Sequence, residues 1–207
     1  MNATWFLVFF SVFAWSAVHP RDYPTWALEV FPAAAALIIL LATRKRFPLT
    51  RLSYVLILIH AVILMVGGHY TYAEVPFFNW LRDIFDLQRN NYDKLGHLAQ
   101  GFVPAVIARE IIMRKEIIRG KGWIRFFVVS TCLGISAFYE LIEWGVALLA
   151  GAESEAFLAT QGYVWDTQSD MAMALVGALL ALILLERVHD RQMGMLREPA
   201  GEGKTRD

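Results

Sequence analysis

Apolar residues gather along this chain in six long runs, separated by shorter polar connections, and the runs predict helices that cross a bilayer. A spanning helix needs about 20 mostly apolar residues, each rising 1.5 Å. Six segments approach that length: 5–18, 26–42, 52–68, 95–113, 123–150 and 171–188. The first is short but rich in Phe and Val. The second holds the run Ala33 to Leu41, and its Pro32 is expected in the opening turns, where a missing N–H costs least. The fourth is the least apolar. The fifth is long enough that it has to tilt, kink or protrude. The expected fold is therefore all-α: a polytopic membrane helical bundle with about six transmembrane helices over residues 1–188. Residues 189–207 form a polar cytoplasmic tail expected to be disordered.

The connections carry pattern as well. In 69–94, Phe77, Trp80, Leu81, Ile84 and Leu87 recur at helical spacing opposite Asn79, Arg82, Asp83, Asp86 and Arg89. This reads as a short amphipathic helix on the outer leaflet with its aromatics at headgroup depth, the alternative being a loop folded over the bundle. Residues 151–169 hold Glu153, Glu155 and Asp166 but no basic residue.

Basic residues orient the bundle. With six spans, fifteen of the nineteen Lys and Arg fall at one set of ends and four at the other, namely Arg21, Arg82, Arg89 and Lys94. The richer set includes both termini, which are thus expected in the cytoplasm. Met1-Asn2-Ala3 has no basic residue, so the first segment is not expected to be a cleaved signal peptide.

Composition sharpens this picture. Hydrophobic residues make up 57% of the 207, charged residues 18%, and mean hydropathy is +0.45. The formal net charge is zero, which excludes a basic nucleic-acid binder. The lone cysteine, Cys132, allows neither an intramolecular disulfide nor a multi-cysteine metal site. Internal repeats of the transporter kind are absent, as are G-x-S-x-G, G-x-x-x-x-G-K-[ST] and H-E-x-x-H.

Ionisable residues in or beside spans are costly, and here they concentrate. Asp93, Lys94, His97 and Gln100 open the fourth span, Glu140 and Glu143 lie late in the fifth, and Asp166 and Asp170 lead into the sixth. Glu140 follows Trp123 by 17 residues, roughly 25 Å of helix, which puts it near the outer edge of a core about 30 Å thick. Within each span, spacings of three and four residues hold the groups on one face. Asp93, His97, Glu140, Glu143 and Asp170 are therefore the candidate catalytic residues. His97 with Glu140, Glu143 and Asp170 is the candidate set for a divalent metal with open positions. Crowded carboxylates equally suit acid–base work. Lys94 suits a lipid or nucleotide phosphate. Gln100, Tyr139, Trp144, Asp166, His69 and Glu74 complete the candidate substrate-binding set. Tyr92 is a further candidate wall residue.

Plainer roles exist for several of these. Asp93 and Asp166 suit helix caps, and Asp170 suits a first turn favoured by the helix dipole. Arg109 and Glu110 suit an interfacial salt bridge, and His60 a packing residue.

The stretches His69-Tyr70-Thr71-Tyr72-Ala73-Glu74-Val75-Pro76, Tyr92-Asp93-Lys94-Leu95-Gly96-His97-Leu98-Ala99-Gln100-Gly101, Phe138-Tyr139-Glu140-Leu141-Ile142-Glu143-Trp144 and Trp165-Asp166-Thr167-Gln168-Ser169-Asp170-Met171 resemble the YjdF family of bacterial inner-membrane proteins. The resemblance runs from the first span to the sixth and implies a multi-pass inner-membrane protein, in a family without an established biochemical function. A looser similarity reaches the VanZ-like membrane proteins, associated with glycopeptide resistance, at Asp93, Lys94, His97, Glu140 and Asp170. Glu143 and the stretch from His69 to Pro76 lie outside that pattern.

Three functions remain in play. One is a membrane enzyme, with or without a divalent metal, acting on a lipid-linked or phosphate-containing headgroup at the outer leaflet. Another is a proton-coupled transporter using Glu140 and Glu143. The last is a non-catalytic assembly or stress protein with a structural cation site. The expected partner common to all is the lipid bilayer, with no nucleic acid.

Overall fold

A computed structural model describes residues 1–150 and 161–197, and among these the chain forms seven helices and no strand. In order they are α1 (Ala3–Ser16), α2 (Tyr23–Thr43), α3 (Arg51–Tyr70), α4 (Pro76–Ile84), α5 (Tyr92–Arg114), α6 (Lys121–Ala150) and α7 (Asp166–Arg197). Glu153, Glu155 and residues 198–207 lie outside the described residues. Four helices, α2, α3, α6 and α7, are long and apolar enough to cross a membrane, and α1 is a shorter apolar helix. At 23 residues α5 has the length. Its polar side chains set it apart.

Local chemistry sets the helix ends. The Asn2 side chain accepts from Trp5 N, Asp22 from Thr25 N and Thr50 from Ser53 N, each supplying a partner for an orphan first-turn amide. Because Asp22 starts α2 early, with Pro24 in its first turn, Pro32 falls inside the helix and not in its opening turns. Its ring removes the N–H that the Leu28 carbonyl would accept from.

Two interfaces organise the bundle. Trp5 and Phe9 of α1 pack with Val30 and Leu37 of α2 and Ile57 and Met65 of α3. On the other side, Val106 of α5, Cys132 of α6 and Ala178 and Leu182 of α7 share a core. The most extensive contact is between α5 and α7. Small residues permit it, since a Cβ on Gly101 would strike the Ala174 carbonyl, and one on Gly177 the Leu98 carbonyl. Such close approach is how helices gain packing energy where lipid offers no hydrophobic drive.

The sixth apolar segment does not give way to a disordered tail at residue 189. α7 continues to Arg197, with His189 and Met193 buried. The polar residues there face polar partners. His189 Nε2 lies 3.2 Å from Glu110 Oε2, Arg109 Nη2 donates to Asp190 at 2.6 Å, and Leu52 N donates to Gln192 at 2.8 Å. Arg109 and Glu110 are accordingly both buried and do not pair with each other directly; the His189 ring links them, its Nδ1 3.2 Å from Arg109 Nη1 and its Nε2 3.2 Å from Glu110. Glu110 also accepts from Thr50 N, from the Thr50 and Ser53 hydroxyls and from Arg114.

The amphipathic segment after α3 is the helix α4. One apolar face points outward, with Phe77 60%, Trp80 55% and Ile84 55% exposed, while Phe78 packs inward on Tyr92.

Candidate functional site

The small-residue contact between α5 and α7 brings the first turns of both helices together, and α6 closes over them. α5 contributes Asp93, Lys94, His97 and Gln100, α6 contributes Tyr139, Glu140 and Glu143, and α7 contributes Asp166 and Asp170. Two further groups escape the spacing argument. Glu29 lies buried in α2, alone among apolar residues. Tyr72 sits in the turn after α3, where Thr71 and Tyr72 both take φ 54°. That turn folds the Tyr72 ring back over Gly67 and Gly96, neither of which has space for a Cβ.

In the first turns of α5 and α7 lies a largely buried ion cluster. Lys94 Nζ is 2.5 Å from Asp170, 2.8 Å from Asp166 and 3.5 Å from Asp93. Arg89 donates to Asp166 at 2.5 Å and to Asp93 at 3.4 Å. Asp93 and Asp166 thus hold charge partners, which goes beyond capping. The sequence pattern sets Arg89 on the polar face of the amphipathic segment, but it lies beyond the end of α4 and turns into the site.

Deeper in, His97 divides the site. Its Nε2 faces Asp93 Oδ1 at 3.3 Å and Asp170 Oδ1 at 3.8 Å. Its Nδ1 faces Gln100 Oε1 at 3.1 Å and Glu140 Oε1 at 3.8 Å. Two sets of potential ligand atoms therefore meet at this ring: Asp93, His97 and Asp170, and His97, Glu140 and Glu143, each within 4.8 Å. They differ in charge compensation. The first set already holds Lys94 and Arg89. Among the described residues, neither Glu140 nor Glu143 pairs with a lysine or arginine. Thr167 hydrogen-bonds Glu140, yet Glu140 Oε1 is buried without a hydrogen bond, as is the Ser136 hydroxyl.

Beside the ring is a cavity of ≈ 180 Å³, bordered by Glu29, Tyr72, Asp93, His97, Gln100, Tyr139 and Glu143. His60 and Pro104 form its inner end. His60 is therefore a cavity residue as well as a packing one, and Pro104 leaves the Gln100 carbonyl without its helical donor. Tyr139 donates to Glu29 at 3.3 Å, and Tyr72 bonds the same carboxyl. Burial pushes the Tyr72 phenol well above its ordinary pKa, so it stays protonated as a donor.

Three expected neighbours lie elsewhere. Trp144 points outward, 61% exposed. Glu74 pairs with Arg21 on the surface at 2.9 Å. The His69 ring packs on Trp15, with Nδ1 3.0 Å from the Ser16 carbonyl oxygen. Tyr92 bonds the Ile63 carbonyl at 2.9 Å and supports Tyr72 from behind.

Around the site, six carboxyl groups (Glu29, Asp93, Glu140, Glu143, Asp166 and Asp170) meet two permanent cations, Arg89 and Lys94. In a poorly solvated region that surplus must be met by protons, by an imidazolium or by a bound cation. The arrangement can thus bind a metal, transfer protons through His97, or both.

A family model described as "Predicted membrane protein (DUF2238)" matches residues 1–191. The chain is 50% identical over 182 residues to the inner membrane protein YjdF of Escherichia coli (strain K12), covering 88% of this chain and 87% of that protein. No solved structure matches it.

Proposed function

The chain belongs to the DUF2238 family of membrane proteins, and from that premise we propose that it is a metal-dependent membrane enzyme acting on a lipid-linked or headgroup substrate at the outer leaflet. Its setting is the bacterial inner membrane, as for the related YjdF. In this reading α1 and α5 cross the bilayer with the four long apolar helices, and both termini are cytoplasmic, supported by the fifteen-to-four basic split.

His97 Nδ1, Glu140 and Glu143 would hold the cation. One imidazole nitrogen with carboxylate oxygens suits zinc or manganese better than a soft thiophilic ion. When bound, such an ion polarises a phosphoryl or carbonyl oxygen and acidifies its water. The rest is done by the protein. Asp93 accepts from His97 Nε2–H, which fixes the ring, and a Gln100 amide turned away from its 3.1 Å contact with Nδ1 would leave that lone pair for the metal. Gln100 and Tyr139 offer polar contacts inside the cavity. Lys94 and Arg89, cross-linked by Asp166, are the nearest cations and would hold a phosphate by exchanging a carboxylate partner for it. The exposed aromatic face of α4 holds the neighbouring leaflet against this end of the bundle.

The observation carrying this reading is Glu140 Oε1, a buried acceptor with no hydrogen bond that faces His97 Nδ1. A transporter would need a polar route onward. Buried Ile57, Val103 and Val106 instead separate the cavity from the Glu110 network along α3 and α5.

Metal analysis of detergent-purified protein tests the site, with about one divalent ion per chain expected and its loss expected in His97→Ala. Incubation with phospholipid vesicles and mass spectrometry of released headgroups tests the activity. No metal in the wild type overturns the site. A metal that raises the melting temperature while no headgroup or lipid-linked substrate turns over supports the structural-cation reading instead.

A further inference from the structure

At the end of the bundle opposite His97, α2, α3 and α5 leave an apolar groove of ≈ 440 Å³ between them. Ile39, Leu40, Ile57 and Ile107 form its walls, and Ala36 lies at its deep end. Ile39 is 60% and Ile111 39% exposed, so the groove opens sideways to its surroundings. Its rim is different chemistry. Thr43, Phe47 and Lys115 border it, and the Phe47 ring lies 4.0 Å from the Arg114 guanidinium and 5.4 Å from the Lys115 ammonium.

Arg114 is committed to Glu110 and to the Pro48 carbonyl. The other cations there are not. Arg44, Lys45 and Arg46 directly follow Thr43 and are exposed, as is Lys115, and none of the four forms an ion pair among the described residues. Glu116 is the single acidic residue adjoining them in sequence.

We propose that this groove binds an acyl chain of an anionic phospholipid, phosphatidylglycerol, with the phosphate held at Lys115 and the 44–46 run. The groove reaches from Thr43 to Ala36, seven residues or about 10 Å of helix, a depth that suits the upper part of a lipid tail. Unpaired cations at its rim favour a net negative headgroup, whereas the ammonium of a zwitterionic lipid is repelled by them. A second copy of the chain seated on the same face would bring two like-charged rims together. The inference is independent of the His97 site, which lies at the other end of α5.

Native mass spectrometry of the full chain, given equal amounts of phosphatidylglycerol and phosphatidylcholine with the same acyl chains, tests it. The phosphatidylglycerol adduct should dominate by about tenfold, or about 1.4 kcal/mol shared among the four cations. Lys115→Gln and Arg44→Gln should each reduce that preference by about twofold. Ala36→Phe, which fills the groove and leaves the charges in place, should lower retention of both lipids. If Ala36→Phe does not fold, the charge variants still decide, because their side chains are exposed and contribute no core packing. Equal retention of the two lipids by the wild type overturns the proposal. So does undiminished preference in the charge variants, undiminished binding in a folded Ala36→Phe protein, or a dimer that Ala36→Phe disrupts.

Discussion

His97 Nδ1 stands 3.8 Å from Glu140 Oε1, and that oxygen is buried with no hydrogen bond. The distance is longer than a hydrogen bond and shorter than a gap that a water could bridge. A cation shared by the two groups would draw them slightly closer, because ligand atoms about 2.0–2.1 Å from one zinc stand about 3.3 Å apart. The other face of the imidazole is already engaged with Asp93. Asp93 thus fixes the ring from one side, while on the other Nδ1 meets Gln100 Oε1 at 3.1 Å and Glu140 Oε1 keeps no hydrogen bond.

Asp93→Asn should therefore weaken metal binding about 10–100-fold without removing a ligand, because it disturbs only the group that orients His97. Glu140→Gln should lose the metal while retaining side-chain volume, and the protein should remain inserted. Metal titration of detergent-solubilised protein measures both. Unchanged affinity in Asp93→Asn would exclude both sets of ligand atoms that meet at His97 and place the ion elsewhere.

Glycine substitutions should separate packing from chemistry. Gly101→Ala drives a methyl group into the Ala174 backbone, so it should destabilise by about 1–3 kcal/mol and loosen the site through the α5–α7 contact. Gly134→Ala meets nothing within 4 Å and should stabilise α6 by about 0.5–1 kcal/mol. Thermal unfolding in one detergent compares them. Equal melting temperatures would mean that the close helix crossing is not what holds α5 to α7.

Much of this architecture was legible in the sequence, and the limits have physical causes. The apolar runs located α1, α2, α3, α6 and α7, since helices in lipid must be apolar over most of their length. Spacing brought Asp93 onto the face of His97, and Glu140 onto that of Glu143, because helical periodicity is local. Glu29 was overlooked because a lone carboxylate in an apolar run reveals nothing about which neighbour it meets. Its partners, Tyr72 and Tyr139, come from elsewhere in the chain. Trp144 stands apart because neighbours on a helix diverge by about 100°, so Glu143 can border the cavity while Trp144 faces out. The helical continuation past residue 189 was hidden because polar residues that will bond Glu110 and Arg109 look the same in sequence as residues that will be solvated.

The α4 surface should lie in the headgroup region. Single cysteines at positions 77, 80 and 84 should react slowly with a membrane-impermeant maleimide, while one at position 83, where Asp83 is exposed, should react readily. Adding the reagent to intact spheroplasts reports the side as well. Labelling of position 83 only after lysis would invert the proposed orientation.

The network around Glu110 should govern stability and leave the His97 site unchanged. Glu110 is fully buried and accepts from Thr50 N at 2.9 Å, the Thr50 hydroxyl at 2.9 Å, the Ser53 hydroxyl at 2.6 Å and Arg114 at 2.7 Å. Glu110→Ala leaves these donors and a partly buried guanidinium without their acceptor, and should cost about 3–5 kcal/mol. Glu110→Gln keeps one acceptor oxygen and should cost less. The thirteen residues from His97 to Glu110 span about 20 Å of α5, beyond the range over which substitutions usually couple. Metal content per folded chain should therefore match the wild type in both variants even as the melting temperature falls. A loss of metal from folded Glu110→Gln protein would mean that the two ends of α5 are coupled, and that the apolar layer of Val103 and Val106 transmits what it was taken to insulate.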